Sequence, residues 1–168
     1  MATTESFDIT TGCDLQEVDN AVNQALKELR QRYDFKNAAI DIEFRRTDAE
    51  LVLTAPDDFR LKAMWEVLLA RMTRRGVPVK NLHAGRIEPA AGGTVRMSVE
   101  LQQGLPTETA RSIVKIIKDL KLRKVQAAIQ GDQVRVSSPS RDELQRVIAA
   151  LKERDLGVEL NFGNYRSQ

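Results

Sequence analysis

Cysteine is nearly absent from this chain of 168 residues, where Cys13 stands alone. A single cysteine excludes an intramolecular disulfide framework and makes a reducing, cytoplasmic setting the expectation. Histidine is equally scarce, with His83 the single one, so the ligands of a His/Cys zinc site are missing. No apolar run approaches the roughly 18 residues of a membrane helix. The opening MATTESFDIT lacks the basic-then-apolar order of a secretory signal, so no membrane association is expected. Aromatic residues make up only 5%. With 26 basic and 24 acidic side chains, the net charge of +2 does not by itself announce nucleic acid. The chain has no P-loop, no GxGxxG and no nucleophile elbow. No catalytic constellation emerges, and neither enzymatic activity nor a cofactor is expected.

What is present is the balance of a globular protein, 42% hydrophobic and 30% charged, enough to bury a core. The charge is uneven. Residues 1–84 carry 12 basic and 14 acidic side chains, and residues 85–168 carry 14 and 10. The second half is therefore the better seat for an anion. Residues 5–11 alternate with Phe7 and Ile9 on one side, which predicts a half-buried strand. Asp14 and Glu17 then mark a helix start, and Leu15, Val18, Val22, Leu26 and Leu29 share its apolar face. Strands follow around Ile40–Phe44 and Leu51–Leu53, then a helix from Asp57 to Gly76 carrying Leu61, Trp65 and Leu68, then an extended stretch to Ile87. The order then repeats. Strand 94–101, a helix after Pro106, strand 124–130, the Gly131-Asp132 turn, a strand through Val134 and Val136, a helix capped by Ser140, and a final strand through Phe162 complete it. Pro56 and Pro139, Leu61 and Leu144, and Leu68 and Leu151 share one offset of 83 residues. Each half thus reads βαββαβ, the ferredoxin-like unit, giving an α+β protein of two such units. The Gly92-Gly93 pair reads as the natural boundary between them.

The topology is shared with RNA-recognition domains, which stack bases on sheet aromatics. Strands 41–45 and 124–130, taken as central, present Asp41, Glu43, Arg45, Lys124, Gln126, Ala128 and Gln130 on the open face. None is aromatic. The densest basic run is Lys115–Lys124, KIIKDLKLRK, at the end of a helix; the macrodipole explains it, although phosphate binding is open to it. Arg71, Arg74 and Arg75 repeat that pattern. Arg45, Arg96 and Arg135 project from strands. There they suit either a phosphate or guanine edge or a cross-strand carboxylate. Cys13 sits at a strand–helix junction, where a helix start can lower a thiol pKa, yet nothing marks His83 as its partner, and packing is the reading preferred over a nucleophile. Asp57-Asp58 is accounted for by the helix start.

Several stretches resemble the YajQ family of bacterial proteins. They are Ser6-Phe7-Asp8-Ile9, residues 14–25 (DLQEVDNAVNQA), Arg32-Tyr33-Asp34-Phe35-Lys36, residues 125–132 (VQAAIQGD), Val134-Arg135-Val136, residues 141–145 (RDELQ) and Asn164-Tyr165-Arg166. The resemblance runs from about residue 5 to 166. It implies tandem ferredoxin-like, RNP-like domains with exchanged first strands: residues 12–91 plus strand 93–103, and residues 104–168 plus strand 4–11. It implies a non-catalytic effector that binds a purine nucleotide or a cyclic dinucleotide such as cyclic di-GMP. A regulatory protein partner goes with that reading, and RNA read by charge and shape is the alternative. Arg135 falls in the family's Val-Arg-Val segment and Arg141 in its Arg-Asp at the last helix start. With Arg96 and Lys124 they are the candidate nucleotide-binding residues. The chain departs from the family in two places. Ser138-Pro139-Ser140 stands where relatives carry Gly-Lys-Lys, and Asn37-Ala38 stands where they carry Gly-Ser.

Overall fold

The structure, a computed structural model, describes residues 3–167. The strands are β1 (Glu5–Thr10), β2 (Asp41–Arg45), β3 (Glu50–Ala55), β4 (Leu82–Pro89), β5 (Val95–Leu101), β6 (Gln126–Gln130), β7 (Gln133–Ser138) and β8 (Asn161–Ser167). The helices are α1 (Leu15–Gln31), α2 (Asp58–Arg74), α3 (Thr107–Asp119) and α4 (Arg141–Lys152). The strands form two antiparallel sheets, ordered β2-β3-β5-β4 and β6-β7-β1-β8. The chain divides into two compact units, Gly12–Gln103 and the segment up to Thr11 together with Gly104 onward. Each sheet is therefore completed by a strand from the other half of the sequence, and the fold is a tandem of ferredoxin-like units with exchanged first strands.

In the Gly12–Gln103 unit, Asp14 caps α1 by accepting from the Gln16 and Glu17 amides, and Asp57 caps α2 by accepting from the Arg60 amide. The end of α2 follows from Gly76 at φ 75°. The Gly76 amide donates to the Thr73 carbonyl and the Val77 amide to the Met72 carbonyl, the paired bonds of a Schellman ending. Val18, Leu29, Leu61, Met64 and Leu68 pack with Leu51, Leu53, Met97 and Val99 of the central strands. Trp65 is only partly buried, at the margin of this core, because it lies one residue off the Leu61–Met64–Leu68 stripe. Gly92 and Gly93, at φ 71° and 75°, belong to the turn between β4 and β5. They lie inside this unit rather than between units, since β5 returns to pair with β3 and β4.

In the other unit, Phe7 and Ile9 of β1 lie opposite Val136 and Val134 of β7. They pack under Ile113, Leu144, Val147 and Leu151. Gly131 at φ 62° turns β6 into β7. Gly104 at φ 81° cannot carry a side chain, because a Cβ there would run into the Asp132 carboxylate.

The exchange corrects the sequence-based choice of central strands. β2 and β6 are edges, and the centres are β3 with β5 and β7 with β1. Parity puts Glu50, Val52, Thr54, Arg96, Ser98 and Glu100 on one open face, and Ser6, Asp8, Thr10, Gln133, Arg135 and Ser137 on the other. None of these open-face positions is aromatic, and Phe7 of β1 points to the helical side. The sheet faces thus lack the platform on which RNA-recognition domains stack bases.

Candidate functional site

The start of α4 meets β1 and the edge strand β8 at a cleft of about 280 Å³, lined by Glu5, Ser6, Arg141, Leu144, Gln145 and Tyr165. Glu5 shares the parity of Phe7 and Ile9 and so lies on the helical side of the sheet. Arg141 is the first residue of α4, its side chain 78% exposed, paired to Glu5 at 3.4 Å. Ser140 caps the helix by accepting from the Glu143 amide, and Ser138 Oγ accepts from the Ser140 amide. The first-turn amides of α4 and the Arg141 guanidinium together form a local positive pole, which Glu5, Asp142 and Glu143 partly offset. Tyr165 is 63% exposed, its ring tilted against buried Phe7 at 6.1 Å. One cleft therefore presents an open aromatic face, an exposed guanidinium and a carboxylate. That is the equipment for holding a flat ring and an anionic group.

Arg135 stands on the opposite face of the same sheet. Its Nε donates to Asp8 Oδ1 at 2.9 Å and its second terminal nitrogen to Oδ2 at 3.3 Å. Asn164 Nδ2 also donates to Asp8 Oδ2, at 2.5 Å, and the Asp8 side chain is 5% exposed. Arg135, helped by Asn164 and by the charge of Arg166, holds the Asp8 carboxyl below its ordinary range although burial pushes it the other way. Arg135 is thus the counter-ion of a buried carboxylate. Arg96 belongs to the other unit, where it lies 3.9 Å from Glu88 on a solvated sheet face. Lys124 is not on a strand. It takes φ 61° in the turn before β6, and its side chain is exposed. The four sequence candidates therefore fall in four places, and only Arg141 lines the cleft.

Several of the other candidates have structural explanations. Arg71 and Arg75 pair with Glu28 and Glu17, Arg45 pairs with Glu43 and Glu50, and Asp57 is a cap paired to Arg60. Cys13 is buried, and burial pushes its thiol up to about 11, so it is protonated at neutral pH and not an activated nucleophile. Its backbone is held by Gln103, whose side chain accepts from the Cys13 amide and donates to its carbonyl. Among the described residues no cluster of His, Cys, Asp and Glu could hold a metal ion, and no helix is long and apolar enough to cross a membrane. Glu5 and Tyr165 were not singled out as site residues from the sequence. The usable signal was an aromatic and a charged residue on strands that otherwise end in polar letters.

The family described as "Nucleotide-binding protein YajQ-like" matches residues 5–166. A Chloroherpeton thalassium protein named "Nucleotide-binding protein" is 48% identical over 166 residues, covering 99% of this chain and all of that one. A protein of the same name from Elusimicrobium minutum is 47% identical over 161 residues, 96% of this chain and 98% of its own. One from Carboxydothermus hydrogenoformans is 49% identical over 166 residues, 99% and 100% of the two chains.

Proposed function

This chain belongs to the YajQ-like family, and from that premise we infer that it binds a purine nucleotide in the cleft at the start of α4 and acts as a non-catalytic effector. One observation carries the reading. Five of the six residues lining the cleft, Ser6, Arg141, Leu144, Gln145 and Tyr165, come from stretches that resemble the family, and distant parts of the chain bring them to one place. In this reading the base lies on the Tyr165 ring and the phosphate takes Arg141 and the first-turn amides of α4. Glu5, released from Arg141 by the incoming phosphate, accepts from the two N–H groups on the guanine edge and so prefers guanine to adenine. At about 280 Å³ the cleft lies just below the usual range of ligand pockets, roughly 300–1,000 Å³, and suits one nucleotide moiety. Cyclic di-GMP would seat one guanylate half there. Ligand binding would then favour one of two conformations and alter a surface read by a regulatory protein in the cytoplasm.

A thermal-shift panel of GMP, AMP, CMP, GTP and cyclic di-GMP, followed by calorimetry, tests this. A guanine nucleotide at ~100 times its Kd should stabilise the protein by roughly 2.7 kcal/mol. Arg141→Ala should weaken it by roughly 1.5–3 kcal/mol, the worth of a charge-assisted hydrogen bond. Glu5→Gln should lose the preference for GMP over AMP. If no nucleotide binds, or if folded Arg141→Ala and Tyr165→Ala variants bind like the parent, the cleft is not the site. Binding to oligonucleotide that weakens steeply with salt, with no mononucleotide response, would favour RNA instead.

A further inference from the structure

The two sheets have four edge strands, and three carry devices that discourage further pairing. β2 alternates the charged residues Asp41, Glu43 and Arg45. β4 is bulged between Ala84 and Ile87 and ends at Pro89. β8 is bulged opposite Ser6–Asp8 and places Asn164 at φ 55°. The fourth edge, β6, reads Gln-Ala-Ala-Ile-Gln, with no charge, no glycine, no proline and an unbroken register against β7. Gln130 and Gln133 flank the two-residue turn and form a hydrogen-bonded pair in such hairpins. Alternation then points the amides and carbonyls of Ala127 and Ile129 outward. Ile129 is 44% exposed.

Beside this edge lies a groove of about 480 Å³ with Ile117, Leu122, Val125 and Ala127 in its walls. Lys115, Lys118, Lys121, Arg123 and Lys124 cluster just before the strand, all exposed. None makes an ion pair of 4.0 Å or less among the described residues. The cations precede the strand rather than lying on it, so they do not block pairing. They set the charge of whatever pairs there.

We propose that β6 is a docking edge for an extended acidic segment of a partner protein, which adds a strand to the sheet, seats an apolar side chain in the groove and sets its carboxylates against the 115–124 cations. Charge selects this occupant. A second copy of this chain pairing β6 antiparallel to β6 would bring to each basic run only the Gly131-Asp132 turn, whose carboxylate packs at Gly104. The surface is separate from the nucleotide cleft, and the proposal does not rest on that reading.

The test uses the full chain and three labelled probes in fluorescence anisotropy: a ten-residue peptide alternating glutamate and valine, its lysine/valine counterpart, and a ten-nucleotide oligouridine. The acidic peptide should bind, and more weakly as salt rises. The triple variant Lys121→Glu/Arg123→Glu/Lys124→Glu should weaken it at least tenfold. Ile129→Pro, which removes an outward amide, should do the same if circular dichroism shows it folded; if it does not fold, the charge variant decides alone. Equal binding of the two peptides overturns the proposal. So does displacement of the acidic peptide by oligouridine, which would make the run an RNA surface. Sedimentation showing a dimer that the charge variant leaves intact would assign the edge to a second copy, also against it.

Discussion

A carboxylate as buried as Asp8 is tolerated in the sheet because Arg135 and Asn164 fill its acceptor positions. Removing Arg135 leaves that charge without its counter-ion. Arg135→Ala should therefore destabilise the protein, and by more than removal of a solvated surface arginine such as Arg96 does, and urea unfolding of the two variants measures it. The sign with pH follows from the lowered pKa. The folded-state value lies below the unfolded value of about 3.9, so the pair's contribution is complete above that value. It is lost as pH falls through the folded-state value. The gap between parent and variant should accordingly close below about pH 4. The alternation of β7 was enough to place Arg135 on the polar side of its strand. Its partner was not legible, because Asp8 lies 127 residues away and only the exchange of first strands brings the two together.

Elements were legible where a local signal marked them. Asp14, Asp57 and Ser140 begin helices, Gly76 ends one and Gly131 makes a hairpin, each through hydrogen bonds or a φ angle decided within a few residues. Whether a strand is central or an edge depends on partners far along the chain, and the misplacement of β2 and β6 has that cause. The start of α4 shows a local departure that bears on the proposed nucleotide site. The Ser138 and Ser140 hydroxyls accept from two of the amides there, those of Ser140 and Glu143, which leaves the Arg141 and Asp142 amides for an anion, and the two lysines expected from the family resemblance are missing. Asn37, by contrast, is a mild departure from the glycine expected there. It adopts φ 61°, a region asparagine enters more readily than most residues. Pro139 is exposed beside Arg141, so Pro139→Lys restores one cation without removing the Ser140 cap. It should tighten nucleotide binding roughly two- to fivefold, the scale of an exposed ion pair. Calorimetry at low and high salt should show that gain shrinking as salt rises.

At the scale of the molecule, the exchange redistributes both core and charge. The −2 and +4 of the sequence halves become 14 basic against 14 acidic residues in Gly12–Gln103, and 12 against 10 in the remainder. The field of the second half is weaker than linear counting implied, and the stronger attraction for an anion is the local pole at Arg141. β1 lies between β7 and β8 and supplies Phe7 and Ile9. Deleting residues 1–11 should therefore unfold the unit that begins at Gly104, while Trp65, the single tryptophan, keeps its folded emission in the other. A deletion that shifts Trp65 emission to that of the unfolded chain would show that the first strand serves Gly12–Gln103.

The most direct test of the proposed nucleotide site is an amide-resolved NMR titration of the whole chain with guanosine monophosphate. Shifts concentrated at Glu5, Ser6, Arg141–Gln145 and Tyr165, saturating together at one Kd and absent from an Arg141→Ala variant, are the predicted result. Saturable shifts confined to Gly12–Gln103 or to β6, or no shift at millimolar nucleotide, would contradict it.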